Sequence, residues 1–377
     1  MERENGQTTG STVMKHLSGL KKIDIYIIRK FLGTFFYAIA LIISIAIVFD
    51  VSENVDDFMS KEVPIKAILL DYYFNFVPYF ANLFSALFTF IAVIYFTSKM
   101  AYNTEIIAIL SSGVSFRRLM LPYMVSAMVI AIFSYVLGNY IIPPANKKRV
   151  EFRNSYINTN KGYEMGTDIH QQLEPGLFVY ISSYNASNDV GYKFTMERFE
   201  NKKLVSKLSS EYIKWDRARK KWTIHNYVVR NIDGYTETII KGEEIDTTLN
   251  MKPEDYRVMR DVVETIALPQ LNKDIRDLKL RGVSTINYEI EKHRRRSGPF
   301  SAFILTLIGV SLASRKVKGG IGLHLGFGIL ISFSYIMFMQ VSTVFAHSGA
   351  VPPYLATWIP NLLFGILAAY LYRWAAR

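Results

Sequence analysis

At 377 residues the chain is long enough for two or three compact domains, and half of it is apolar. It carries a net charge of +12 without a nucleic-acid-binding motif, so no nucleic-acid partner is expected. The lack of any cysteine excludes disulfides, cysteine-based zinc sites and a thiol nucleophile. The apolar residues gather in two blocks, one near each end, and the middle of the chain is polar. That distribution belongs to a membrane protein, in which Lys and Arg accumulate in the cytoplasmic loops.

Residues 1–20 are rich in Gly, Ser and Thr and are expected to be disordered, with no cleavable signal peptide. Lys21, Lys22, Arg29 and Lys30 precede the uncharged run 31–48, which would cover about 27 Å as a helix, close to the hydrocarbon thickness. Asp50 is expected to end this first span. The second span is 72–98, with Pro78 near its start. The third is 119–145, closed by Pro143-Pro144. Spans four to six are 297–314, 321–346 and 350–372. Among the short loops, one side holds the N-terminal cluster, Lys99, Arg117, Arg118, Arg315, Lys316, Lys318, Arg373 and Arg377. The other side holds Lys61 and Lys66. The first side is therefore read as cytoplasmic, with both termini inside and the long middle segment outside.

That middle segment reads as β. Alternating or β-branched and aromatic runs at 176–185, 191–199 and 222–230 are separated by turn signals at 185–189, 200–203 and Asp233-Gly234. Short strands at this spacing suggest a sandwich or jelly roll. From 268 onward Leu271, Ile275 and Leu278 recur at helical spacing until Gly282. The fold expected is an α-helical membrane protein of six spans, with an all-β, jelly-roll-like domain inserted between the third and fourth. Its parts are a disordered segment 1–20, spans one to three over 21–145, a β domain over 146–266, a helical connector over 267–296 and spans four to six over 297–377.

Enzymatic signals are weak. The six histidines are scattered, and no zinc-protease, nucleophile-elbow or phosphate-loop sequence is present. No catalytic residue and no metal site are expected. Gly319-Gly320 and Gly322 read as a flexible turn rather than a phosphate cradle. Asp71 lies near the outer end of its span, within reach of water, and Asn75, Asn82, Gln340 and Asn361 read as interhelical hydrogen-bonding groups.

Two segments between the spans are more informative. In 103–113, Asn103 or Thr104 can cap a short helix with Glu105 in its first turn. Ile106, Ile107, Ile109 and Leu110 follow, Gly113 can end the helix in the left-handed conformation, and Arg117 and Arg118 lead into the third span. So apolar a helix either lies on the bilayer surface or docks in another protein's groove. The second segment is cationic. Lys147, Lys148, Arg149 and Arg153 leave the third span, and Arg294, Arg295 and Arg296 enter the fourth. They fit general attraction to anionic headgroups or, favoured because both edges of one domain carry them, capture of a phosphorylated lipid.

Asn103-Thr104-Glu105-Ile106-Ile107-Ala108-Ile109-Leu110-Ser111-Ser112-Gly113-Val114-Ser115, followed by Arg117-Arg118-Leu119 and Pro122, resembles the most specific segment of the LptF/LptG (YjgP/YjgQ) family of lipopolysaccharide-export permeases. The opening Tyr26-Ile27-Ile28-Arg29-Lys30-Phe31-Leu32 is similar to that family too. So is Tyr288-Glu289-Ile290-Glu291-Lys292-His293-Arg294, leading through Pro299 to Ile308-Gly309-Val310-Ser311. The resemblance implies a permease subunit in the inner membrane of a Gram-negative bacterium, without its own nucleotide site. Two such chains would pair above a dimer of cytoplasmic ATPases that binds ATP and Mg. The short helix would couple to the ATPase through Glu105, Ile106, Ile109, Leu110, Arg117 and Arg118. The first and fifth spans would border a lateral opening for lipopolysaccharide, and the β domain would pass the lipid to periplasmic bridge proteins of similar jelly-roll form. Two rival readings are a membrane-anchored assembly or sensor protein whose β domain binds a protein, and a lipid-modifying membrane enzyme.

Overall fold

The computed structural model describes residues 21–157, 166–185, 188–251, 253, 263–280, 282, 284–315 and 320–376. The expected disordered segment 1–20, Lys316, Lys318 and the first glycine of the Gly319-Gly320 pair lie outside the described residues, as does part of the 185–189 turn. The chain divides into two compact units. One is helical and holds the described residues up to Glu53, then Phe76–Ile141, then those from His293 onward. The other holds Asn54–Asn75 and the described part of Ile142–Lys292.

The first helix, α1 (Lys22–Ser60), does not stop at Asp50. No Gly or Pro interrupts 49–60, so the helix carries its acidic residues onward until Pro64 forbids continuation. A wide π-helical turn, Ile68–Tyr73, then leads into α2 (Phe74–Leu83) and α3 (Ser85–Tyr102). From the first turn of α2 the Asn75 Nδ2 donates back to the Leu70 and Asp71 carbonyls at 3.0 Å each. Asn75 therefore serves local backbone rather than a neighbouring helix. After the short α4 (Glu105–Ser111) comes α5 (Phe116–Val136).

Pro143-Pro144 does not end the third helical segment. A second wide turn, Leu137–Ile141, intervenes, and α6 (Ile142–Phe152) begins immediately before the two prolines. They occupy a first turn, where missing N–H groups cost least.

In the second unit six strands follow: β1 (Gly166–Glu174), β2 (Leu177–Asn185), β3 (Val190–Glu200), β4 (Lys203–Asp216), β5 (Lys221–Asp233) and β6 (Thr236–Thr247). They form one antiparallel sheet in sequence order. The expected jelly roll requires strands that cross between two sheets. Here each described strand pairs with its sequence neighbour, because the connections are tight turns. Asn201 and Lys202 both take positive φ in the β3–β4 turn, and Gly234 does so in β5–β6. Alternate residues such as Val179 and Ile181 enter a core with Phe194, Ile213, Trp222 and Ile224. The Trp222 indole N–H donates to the Met251 carbonyl at 3.0 Å. The outer strand β6 is mostly exposed, including Ile239 and Ile240.

The chain then forms α7 (Leu268–Leu280), α8 (Ile286–Ser297), α9 (Phe300–Ala313), α10 (Gly320–His347) and α11 (Pro353–Ala375). Among the described residues five helical segments are long and apolar enough to cross a membrane, and a sixth if α8 and α9, bent by 47° at Gly298-Pro299, count as one span.

In the helical unit α3 is the centre. Of its apolar window 61% is buried, against 22% for α1 and for Leu325–His347 of α10. Two glycines bring neighbours against it. A Cβ on Gly309 of α9 would sit 2.3 Å from Val93 Cγ1, and one on Gly328 of α10 would sit 2.6 Å from Ile94 Cδ1. Hydrogen bonds complete the bundle. Ser134 Oγ donates to Asn82 Oδ1 at 2.6 Å, Tyr335 Oη to Asn361 Oδ1 at 2.8 Å, and Asn361 Nδ2 to the Ser297 carbonyl at 2.8 Å. Gly309→Ala should cost about 1–3 kcal/mol through overpacking. It should lower the unfolding temperature in detergent, and Val93→Ala in the same chain should recover most of the loss.

Candidate functional site

The segment around α4 brings chemistry from four helices to one place. Thr104 precedes α4 with φ 61°, and its side chain makes no capping bond to the helix; the hydroxyl donates instead to the Asn103 carbonyl at 2.6 Å. The expected side-chain cap is therefore absent. Asn103 Nδ2 donates to Glu105 Oε1 at 3.2 Å. Gly113, with φ 85°, closes the other end, its N–H donating to the Leu110 carbonyl at 3.1 Å.

The apolar residues of α4 divide by face. Ile106 is 1% exposed and anchors the helix, Ile109 is half-buried, and Ile107 and Leu110 are exposed at 48% and 36%. Ile106 is thus a root of the helix, and the outward surface consists of Ile107 and Leu110, with Glu105 half-buried beside them.

Arg117 and Arg118 part company. Arg117 is exposed. The Arg118 guanidinium turns inward and forks onto Asp24, Nη1 to Oδ1 at 2.8 Å and Nη2 to Oδ2 at 2.5 Å. Asp24 is 1% exposed and also accepts the Lys21 backbone N–H at 2.7 Å. The Arg118 backbone N–H donates to Ser115 Oγ, capping α5. Beside the pair, Tyr26 Oη donates to Glu105 Oε2 at 3.4 Å. Beneath it the rings of Tyr26 and Phe96, Phe31 and Tyr123, and Phe96 and Tyr123 are in contact. Thr97 Oγ1 donates to the buried Tyr123 Oη at 3.1 Å. The starts of α1 and α5, the end of α3, and α4 are thereby tied together. Sequence reasoning missed Asp24, Tyr26 and Tyr123. The available signal was one acid, Asp24, set among Lys21, Lys22, Arg29 and Lys30.

The second cationic set is divided between the units. In the sheet-bearing unit Lys147 and Lys148 are exposed on α6, Arg153 is half-buried and Arg149 is 7% exposed. In the helical unit Arg294 and Arg296 are exposed at the end of α8, and Arg295 is 6% exposed. Arg149 and Arg295 therefore present little surface to a ligand, and the accessible cations are Lys147, Lys148, Arg294 and Arg296, with Arg153 partly so.

Other grooves hold paired groups. One of about 650 Å³ on the sheet is lined by Arg219, His225, Glu244 and Asp246. Its polar groups face each other: Arg219 to Asp246 at 3.5 Å and the His225 ring to Glu244 at 3.0 Å. In the adjoining turn, hydrogen bonds from the Arg219 and Ala218 backbone N–H groups hold the Asp216 carboxyl below its ordinary range. Among the described residues no group of His, Asp and Glu is arranged to hold a metal ion.

Residues 25–374 match the family described as lipopolysaccharide export system permease LptF/LptG. The chain is also 18% identical, over 281 residues, to the lipopolysaccharide export system permease protein LptG of Escherichia coli strain K12, covering 72% of this chain and 76% of that one. The same figures hold for the LptG of Escherichia coli O6:H1. The chain belongs to the LptF/LptG family, and so is a transporter component rather than an enzyme.

The two faces of α4 should respond differently to mutation. Ile106→Ala should destabilise the protein by about 2–4 kcal/mol, as for other buried truncations, and Ile107→Ala should leave unfolding almost unchanged. Thermal unfolding of the two purified variants compares them.

Proposed function

We propose that the chain is one transmembrane subunit of an ATP-driven machine that extracts lipopolysaccharide from the inner membrane. The observation that carries this, beside the family, is α4: a short helix rooted through Ile106 in the bundle and presenting Ile107 and Leu110 outward. In this reading α4 lies on the cytoplasmic side, and its outer face docks in an ATPase subunit that binds ATP and Mg. Glu105, Ile107, Leu110 and Arg117 form the contact, and Ile106, Ile109 and Arg118 hold the helix in position.

A second permease chain of the same family completes the lipid cavity. The shallow burial of α1 and α10 suits helices that border its lateral opening. The sheet-bearing unit is periplasmic, and its outer strand β6, with Ile239 and Ile240 exposed, suits pairing with the bridge proteins that carry the lipid onward. Lys147, Lys148, Arg294 and Arg296 hold lipid phosphates, with Arg153 assisting. Both termini are cytoplasmic, and the domain division is 21–145, 146–266, 267–296 and 297–377.

The chain, co-purified with its partners and placed in vesicles containing lipopolysaccharide, should release the lipid only with ATP. Release without a nucleotide-binding subunit would overturn the scheme. Arg117→Glu should reduce ATPase co-purification about tenfold without changing the amount of folded chain, in line with the cost of a like-charge clash at a docking surface.

A further inference from the structure

We infer that the Asp24–Arg118 pair, acting through the start of α5, ties the α4 segment to the start of α1, so that a displacement of α4 reaches α1. This rests on the docking role proposed for α4 and adds the route by which its motion leaves the site. Asp24 and Arg118 are then positioning residues.

Two observations carry the inference. First, the link is strong and specific. It is a two-pronged charge pair whose carboxylate is 1% exposed, formed between residues 94 apart in sequence. A planar guanidinium fork on a desolvated carboxylate fixes orientation as well as distance. Second, the pair sits where α4 hands over to α5. Arg118 lies in the first turn of α5, and Tyr26, two residues after Asp24, reaches Glu105 in the first turn of α4. Both flanks of α4 are therefore joined to the same turn of α1.

The test uses the complex with the partner permease chain and the ATPase, in vesicles containing lipopolysaccharide. Asp24→Asn keeps the shape and the acceptor for the Lys21 N–H but removes the charge. It is expected to retain the ATPase on co-purification, to hydrolyse ATP within about twofold of the wild type and to release lipid about tenfold more slowly, a loss within the range of coupling mutations. Arg118→Lys, which keeps the charge and loses the fork, should fall between. A purely structural role would lower all three readouts together, and that result overturns the inference, as does undiminished release.

If Asp24→Asn fails to fold, the wild-type pair can be tested by tethering. The chain has no native cysteine. Tyr26→Cys and Asn103→Cys, joined by a flexible bis-maleimide, should release lipid at least as fast as the same variant unlinked. A tethered complex that cannot release lipid overturns the inference, because α1 and α4 must then move apart. A wild-type complex without ATP-dependent release overturns the proposed function itself.

Discussion

The helical unit depends on how closely α9 and α10 can approach α3. In hydrocarbon, helices gain little from burying apolar side chains against one another, so cohesion comes from close contact and from polar groups that find partners. Gly309 and Gly328 supply the contact at consecutive residues of α3, Val93 and Ile94. Asn361 supplies the polar part, bonding at once to Tyr335 on α10 and to the Ser297 carbonyl at the end of α8. With α3 held in this way, α1 can keep a large apolar surface exposed to its surroundings and still belong to the unit.

The sequence made some of this legible for simple reasons. Uncharged runs mark apolar helices whatever their packing, and tight turns in the sheet are written in local residues such as Asn201-Lys202 and Asp233-Gly234. Boundaries were less legible. Asp50 looked like an end, but a charge does not break a helix, and α1 runs on to Ser60. Pro143-Pro144 looked like a stop, but a wide turn just before them turns a stop into a start. The jelly-roll expectation rested on strand number and spacing, which do not specify whether successive strands pair directly.

At the candidate site, local pattern identified α4 but not its surroundings. Which face of so short an apolar helix points inward depends on the surrounding helices, among them α1, whose Tyr26 reaches Glu105. Arg117 and Arg118 are indistinguishable as letters. They differ only because the turn of α5 aims one outward and the other at Asp24, a carboxylate from the beginning of the chain.

Thr104 shows how delicately α4 is set. A β-branched residue at φ 61° is in the sparsely occupied left-handed region, at a cost of about 1–3 kcal/mol. The joint between α3 and α4 is consequently wound against its own preference, and the contacts of Ile106 and Glu105 keep it wound. The backbone at this joint carries the cost of a left-handed turn that a glycine would adopt without it.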